Sequence, residues 1–333
     1  MEMRPRIWRG FALAAALCIG SGGAIAQSGS AVSGSTSYPT KPVHLVVPYP
    51  PGGATDIIAR NLAQKLQEIQ GQPVVMEYKP GAGGVIATEH IAKSAPDGYT
   101  SGIVTTAFVI NPSLRSDLPY DTLKDFSGVS IVAISHIMLA ATPSLQANSV
   151  PELIALAKRM PGKLTYASAG TGGAMHLSGE LLKSMTGIDM VHVPYKGGNA
   201  AYPDVIAGRV QLIFDPVFAS MPLVKSGKLK ALALASPKRP ASHPELPTTG
   251  ESVPGYGVLS ITGIVVPHAT PREVVHRLSA DIGKALESPE VKARMSDAGM
   301  EPSPSTPERF DAYILAETEK WAKVVRKSGA KSE

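Results

Sequence analysis

The sequence predicts an α/β protein of two similar lobes, on three observations. From residue 38 onward, short β-branched runs alternate with helical patterns, the order of parallel βαβ units. Glycine clusters stand where the strand patterns end, at Gly52-Gly53, Gly81 to Gly84, Gly170 to Gly173 and Gly197-Gly198. A short internal echo, Val47-Pro48-Tyr49 before one glycine pair and Val193-Pro194-Tyr195 before another, suggests like strand exits in both halves. A length of 333 residues accommodates two domains of ordinary size.

The first unit is the clearest. Val43 to Val47 reads as a buried strand that Pro48, Pro50 and Pro51 cannot continue. Ile58, Leu62, Leu66 and Ile69 then mark one face of a helix, which Gly71 and Pro73 stop. Val74 to Met76 and Ile103-Val104 are further strands, with a helix between them ending near Ser94. Val129 to Ala141 is apolar over 13 residues but holds Ser130, Ser135 and His136. A membrane span needs about 20 residues, so this segment reads as one buried strand or two. Ser149 to Glu152 has the S-x-x-E form of a helix cap. Leu164 to Tyr166, Val191 to Val193, Leu212 to Phe214 and Leu232 to Leu234 are strands of a second set. Helix starts are expected at Thr270-Pro271, Ser288-Pro289 and Thr306-Pro307, and Phe310, Ile314, Trp321 and Val325 form a core-facing stripe on the last helix.

The N-terminus sets the cellular class. Arg4, Arg6 and Arg9 precede an apolar run from Gly10 to Gly20 and then Ala24-Ile25-Ala26, the three parts of a secretory signal peptide. Residues 1–26 are therefore expected to be removed after Ala26, and 27–37, nearly all Ser, Gly and Thr, to be a flexible linker. Cys18, the one cysteine, falls in the removed segment, so no disulfide is expected; Leu17 before it argues against lipid attachment. Three of the 32 basic residues lie in the leader, leaving 29 basic against 26 acidic, with no basic stripe interleaved with aromatics. That balance argues against nucleic-acid binding.

Parallel sheets place ligands at the carboxyl ends of their strands, where turns meet helix N-termini. Glycine there lets the backbone approach a ligand, and the first helical N–H groups have no internal partner, so an anion is favoured. Each helix end contributes roughly 0.3–2 kcal/mol, whereas micromolar binding needs about 8 kcal/mol. Other hydrogen bonds and burial must supply the rest. Gly81-x-Gly83 lacks the third glycine of a dinucleotide fingerprint, since Ile86 stands there, and no nucleotide phosphate loop occurs. Ser168 follows a strand, but Tyr166 replaces the first glycine of a nucleophile elbow, and no spacing places His192 or His243 beside it. The eight histidines lack metal-ligand spacing. Neither catalysis, a cofactor nor a metal is expected. His176, at a helix start, reads equally as a ligand contact or a polar cap.

At these positions the chain resembles the Bug family, the substrate-binding proteins of tripartite tricarboxylate transporters. The resemblance is carried by Tyr38-Pro39-Thr40-Lys41-Pro42, the run from Val47 to Asp56, Pro80 to Gly84, Leu118 to Asp121, Tyr166 to Gly170, His176 to Glu180 and Val193 to Gly197. It extends from Tyr38 to about Gly329. It implies a periplasmic binding protein of two Rossmann-like lobes, with the ligand in a cleft between them and two crossing segments. Lobe 1 would comprise 38–138 and 236–333, and lobe 2 would comprise 139–235. It also implies a small carboxylate ligand (a di- or tricarboxylate, an aromatic acid or an amino acid), inner-membrane permease subunits as partners, and a monomer. Carried over by motif, the first-lobe contacts are Tyr49, Gly52, Gly53, Thr55, Asp56, Ala82 and Gly83. Those of the second lobe are Ser168, Ala169, Gly170, His176 and Tyr195, with Asp215 lining the cleft. For Asp56 the residues alone offer a plainer role as a first-turn residue favoured by the helix dipole. Phe108 and Ile261-Thr262 depart from residues common in relatives and are expected near the cleft. A ligand-presenting partner of a membrane kinase, or a secreted hydrolase using Ser168, are the alternative functions.

Overall fold

The structure is a computed structural model describing residues 38–329. The expected signal peptide, Cys18 and the linker lie outside the described residues.

Strand β1 (Val43–Val47) is buried along almost its whole length and ends at the prolines. Helix α1 (Ala54–Gln70) buries Ile58, Leu62 and Leu66 against the sheet. Strand β2 (Val74–Tyr78) pairs parallel with β1, Val43 opposite Val74. Helix α2 (Val85–Ala92) leads to β3 (Thr100–Thr105), which pairs parallel on the other side of β1. Helix α3 (Ala107–Leu114) follows, and then the long strand β4 (Phe126–Ser135).

At His136 the chain changes sheets. Strand β5 (Ile137–Ala141) belongs to the second sheet, so the 13-residue apolar stretch is two strands. Helix α4 (Val150–Arg159) opens as its cap motif predicts: the Ser149 hydroxyl accepts from Glu152 N–H at 3.3 Å. Strands β6 (Leu164–Ser168), β7 (Met190–Pro194) and β8 (Leu212–Pro216) alternate with helices α5 (Ala174–Thr186) and α6 (Gly198–Ile206). Helix α7 (Val217–Lys225) and strand β9 (Lys230–Leu234) complete this lobe. The return passes through the short α8 (Thr249–Ser252) to β10 (Ser260–Pro267). Helices α9 (Arg272–Glu287) and α10 (Pro289–Asp297), the two-residue strand β11 (Glu301–Pro302) and helix α11 (Pro307–Ser328) finish the chain.

The two sheets run β2-β1-β3-β10-β4-β11 and β7-β6-β8-β5-β9. Each holds three parallel strands, then an antiparallel one: β10 in the first sheet, β5 in the second. The purely parallel expectation is corrected at these two strands, each of which enters its sheet from the other lobe. The two-lobe reading is right, but the echo that suggested it is not. By topology β1 corresponds to β6, and β2 to β7. The exit after β1 is therefore equivalent to the exit after β6, and Val193-Pro194-Tyr195 follows the counterpart of β2. The expected Thr270 cap is also absent: α9 begins at Arg272 after Pro271, and the Thr270 hydroxyl is buried without a partner.

One apolar core is confined to each lobe, and a third runs through both. The third holds Phe310, Ile314 and Trp321 of α11 together with Tyr166, Leu177, Leu181 and Tyr256. Tyr256 ties the return segment to α5 by donating to the Ser178 carbonyl at 2.9 Å. Among the described residues no helix is long and apolar enough to cross a membrane, and no cluster could hold a metal ion.

Candidate ligand-binding site

The strand exits of both lobes meet at a cavity of about 430 Å³. The first lobe contributes Tyr49 after β1, Gly83 after β2, and Asn111, Leu114 and Arg115 from the end of α3. The second contributes the turn 169–173 after β6 and the first two residues of α5.

On the first-lobe side, Gly81, Ala82, Gly83 and Gly84 all have positive φ, at 133°, 48°, 65° and 92°. Within this turn Gly84 N–H donates to Gly81 O at 3.0 Å, and Gly83 reaches the cavity wall. Ala82 is the one non-glycine residue with positive φ among those described, a conformation that costs roughly 1–2 kcal/mol. The preceding turn is held from behind by Asp56, which is 4% exposed. Its carboxylate accepts from Gly52 N–H at 2.8 Å, Arg60 Nε at 3.0 Å and the Tyr78 hydroxyl at 2.5 Å. Burial opposes its ionisation, but these three donors outweigh burial and hold the pKa below the usual carboxylate range.

On the second-lobe side the turn lies over a buried polar group. Ser168 is fully buried; its hydroxyl donates to Gly170 O at 2.9 Å and lies 2.7 Å from His192 Nε2. The His192 ring stacks on His176 with centroids 3.8 Å apart. His176 Nδ1 accepts from Gly172 N–H at 3.0 Å, which shapes the end of the turn. Burial pushes both histidines down to about 4, helped at His176 by the Lys183 charge and at His192 by His176. Both rings are therefore neutral at ordinary pH. Gly172 has φ +82°, and a Cβ there would sit 2.6 Å from Leu114 Cδ1 across the cavity. Helix α5 starts directly after this turn with no side-chain cap, so its first N–H groups face the cavity.

Of the residues nominated by motif, the cavity lining includes Tyr49, Gly83, Ala169 and Gly170. Gly52, Gly53 and Ala82 are exposed and Thr55 half-buried at neighbouring turns. Asp56, Ser168 and His176 lie behind the turns and hold them. Tyr195 donates to Asp204 at 2.5 Å, and its N–H donates to the Ser168 carbonyl at 3.1 Å. Asp215 is buried, accepting from the hydroxyls of Tyr202 at 2.6 Å and Ser220 at 2.7 Å. Burial pushes its carboxyl up in spite of those two bonds. Phe108 and Ile261, expected near the cleft, are core residues 3% and 2% exposed, and neither lines the cavity. Phe108 packs edge-on against Phe126, centroids 5.2 Å apart. The sequence reading missed Asn111, Leu114, Arg115 and Met175, which the fold brings to the lining. The one local signal was an arginine placed after a helix-ending Asn-Pro-Ser-Leu with no carboxylate at helical spacing before it.

Comparison with known proteins agrees with this geometry. The sequence model described as the tripartite tricarboxylate transporter family receptor matches residues 58–330. Protein BugT of Bordetella pertussis is 36% identical over 311 residues, covering 92% of this chain and 95% of BugT. An R. palustris protein solved with adipate is 36% identical with a TM-score of 0.72, over 88% of this chain and 99% of that one. MatC from Rhodopseudomonas palustris, solved with bound malate, is 29% identical with a TM-score of 0.68, over 86% and 100%. Two lobes of matching strand order, a cavity at their facing strand exits and a family match over most of the sequence together place this chain in the tripartite tricarboxylate transporter receptor family.

Proposed function

We propose that the protein is an exported solute-binding protein that captures a small carboxylate between its lobes and presents it to membrane permease subunits. The observation that carries this reading is the cavity itself. Glycine turns at the strand exits of both lobes and the uncapped N-terminus of α5 border it, and none of its lining residues is acidic. Such a surface solvates negative oxygens and repels none. The adipate and malate held by its relatives are ligands of that chemistry. The leader and its cleavage after Ala26 would deliver the chain to the periplasm. The lobes would comprise 38–138 with 236–333, and 139–235, crossing at His136 and again between β9 and β10. Closure about these crossings would supply the burial that helix ends alone cannot.

The Ser168–His192 pair, 2.7 Å apart, is the one feature that favours the hydrolase alternative. Three facts oppose it. Ser168 is fully buried beneath Gly170, a histidine pushed down to about 4 is a weak base at neutral pH, and no carboxylate hydrogen-bonds His192 among the described residues. The deciding experiment is a thermal-shift screen of mono-, di- and tricarboxylates, with calorimetry of the hits. The reading holds if at least one carboxylate binds at micromolar or tighter affinity with one-to-one stoichiometry. It is lost if none shifts the transition while neutral solutes do.

A further inference from the structure

Among the residues lining the cavity, Arg115 alone is charged. It follows the last turn of α3, where the backbone becomes extended, and its N–H donates to Asn111 O at 3.0 Å. The helix thus fixes the point from which the side chain departs. That side chain is partly withdrawn from solvent, and its Nε is fully buried without a hydrogen-bond partner among the described residues.

The other arginines show how unusual this is. Arg60, Arg209, Arg239, Arg272, Arg277 and Arg294 each pair with a carboxylate. Arg159, Arg309 and Arg326 have no ion pair among the described residues, but they are exposed to water. Arg115 has no ion pair among the described residues and is only partly hydrated. A guanidinium cannot relieve such a position by losing its proton. An arginine in a cavity wall with no carboxylate partner among the described residues leaves its charge for a ligand anion to neutralise.

Resting on the carboxylate reading above, we infer that Arg115 pairs with a second carboxylate of the ligand and makes the site selective for small dicarboxylates over monocarboxylates of the same length. The argument is one of charge and placement. The α5 N-terminus and the 169–173 turn offer partial positive charge from the second lobe, and Arg115 offers a full charge from the first. One carboxylate at the α5 end leaves the guanidinium unpaired. A ligand with an anionic group at each end satisfies both walls and bridges the lobes.

The test pairs adipate with hexanoate, and malate with 3-hydroxybutyrate, by calorimetry on the wild type, R115Q and R115K. The wild type is expected to favour the dicarboxylate of at least one pair by about tenfold or more. R115Q should erase that preference, weakening the dicarboxylate by about 10–100-fold and the monocarboxylate by less than about threefold. R115K keeps the charge without the planar fork and should retain part of the preference. The melting temperature of unliganded R115Q should not fall, whereas a merely structural arginine would lower it. The inference is overturned if R115Q keeps the preference, if the wild type takes both members of each pair equally, or if R115Q and R115K weaken mono- and dicarboxylates alike. Should the wild type bind no carboxylate at all, the functional proposal falls as well. Carboxylate binding that ignores Arg115 removes this inference alone.

Discussion

His176 and His192 are stacked, buried and neutral beneath the cavity turn, and that arrangement makes stability depend on pH. Unfolded, each takes a proton near its ordinary 6.5; folded, only near 4. The unfolded state therefore binds more protons between these values. The stabilisation is complete above pH 6.5 and is lost as the pH falls towards 4. At about 1.4 kcal/mol per unit, buried His176 should account for roughly 3 kcal/mol and the partly exposed His192 for less, so that the pair contributes about 4–5 kcal/mol. Denaturant melts between pH 7.5 and 4.5 should show the fall, and His192→Gln should remove the smaller share of it. Asp215 works in the opposite sense, because its carboxyl is pushed up by burial, so the upper half of the window is the diagnostic part. Ser168→Ala tests a separate point. It removes the hydroxyl that spans Gly170 and His192 and should weaken ligand binding about 3–10-fold, the worth of one hydrogen bond. Hydrolysis of activated esters by the wild type, abolished in this variant, would contradict the binding-protein reading.

The secondary-structure elements divide into those fixed locally and those fixed by docking. Helix α4 is of the first kind, since its cap is a contact between Ser149 and Glu152, three residues apart. Ser149→Ala should cost about 1 kcal/mol in a denaturant melt and leave binding unchanged. Helix α11 is of the second kind. Its Phe310 and Trp321 are fully buried in the core that runs through both lobes, beside Tyr166 and Leu177 of the second. Phe310→Ala should cost about 3–5 kcal/mol, with a single cooperative transition in which both lobes melt together. Two separate transitions would show that the shared core does not couple them. The apolar stripe on α11 was plain in the sequence, because a 3.6-residue period needs only local order. That the helix seals two lobes rather than one was not, because a period names a buried face and not its partner.

For the whole molecule, closure is the property to measure. The crossing at His136 is tied to the return segment and to β11: Nδ1 lies 3.2 Å from Ser236 Oγ, and Nε2 lies 3.2 Å from Glu301 Oε2. Rotation about these crossings is the motion that would close the cleft. A saturating carboxylate should therefore reduce the radius of gyration in solution scattering. At a hundred times its Kd it should add about 2.7 kcal/mol of stability, raising the melting temperature by roughly 4 °C for a chain of this size. A shift in melting with no contraction would locate binding outside the cleft.

By itself the sequence determined the first βαβ unit, the α4 cap, the apolar stripe of α11 and the glycine turns, because each depends on neighbours a few residues away. Tertiary structure decided what distance along the chain conceals. It paired Ser168 with His192, set β5 and β10 antiparallel, and showed that the Val-Pro-Tyr echo joins strands that are not counterparts. It also turned Asp56 inward and brought Arg115 to the cavity wall. Whether a polar side chain holds a turn or meets a ligand depends on which way the packed chain faces it, and that direction is fixed only when both lobes are assembled.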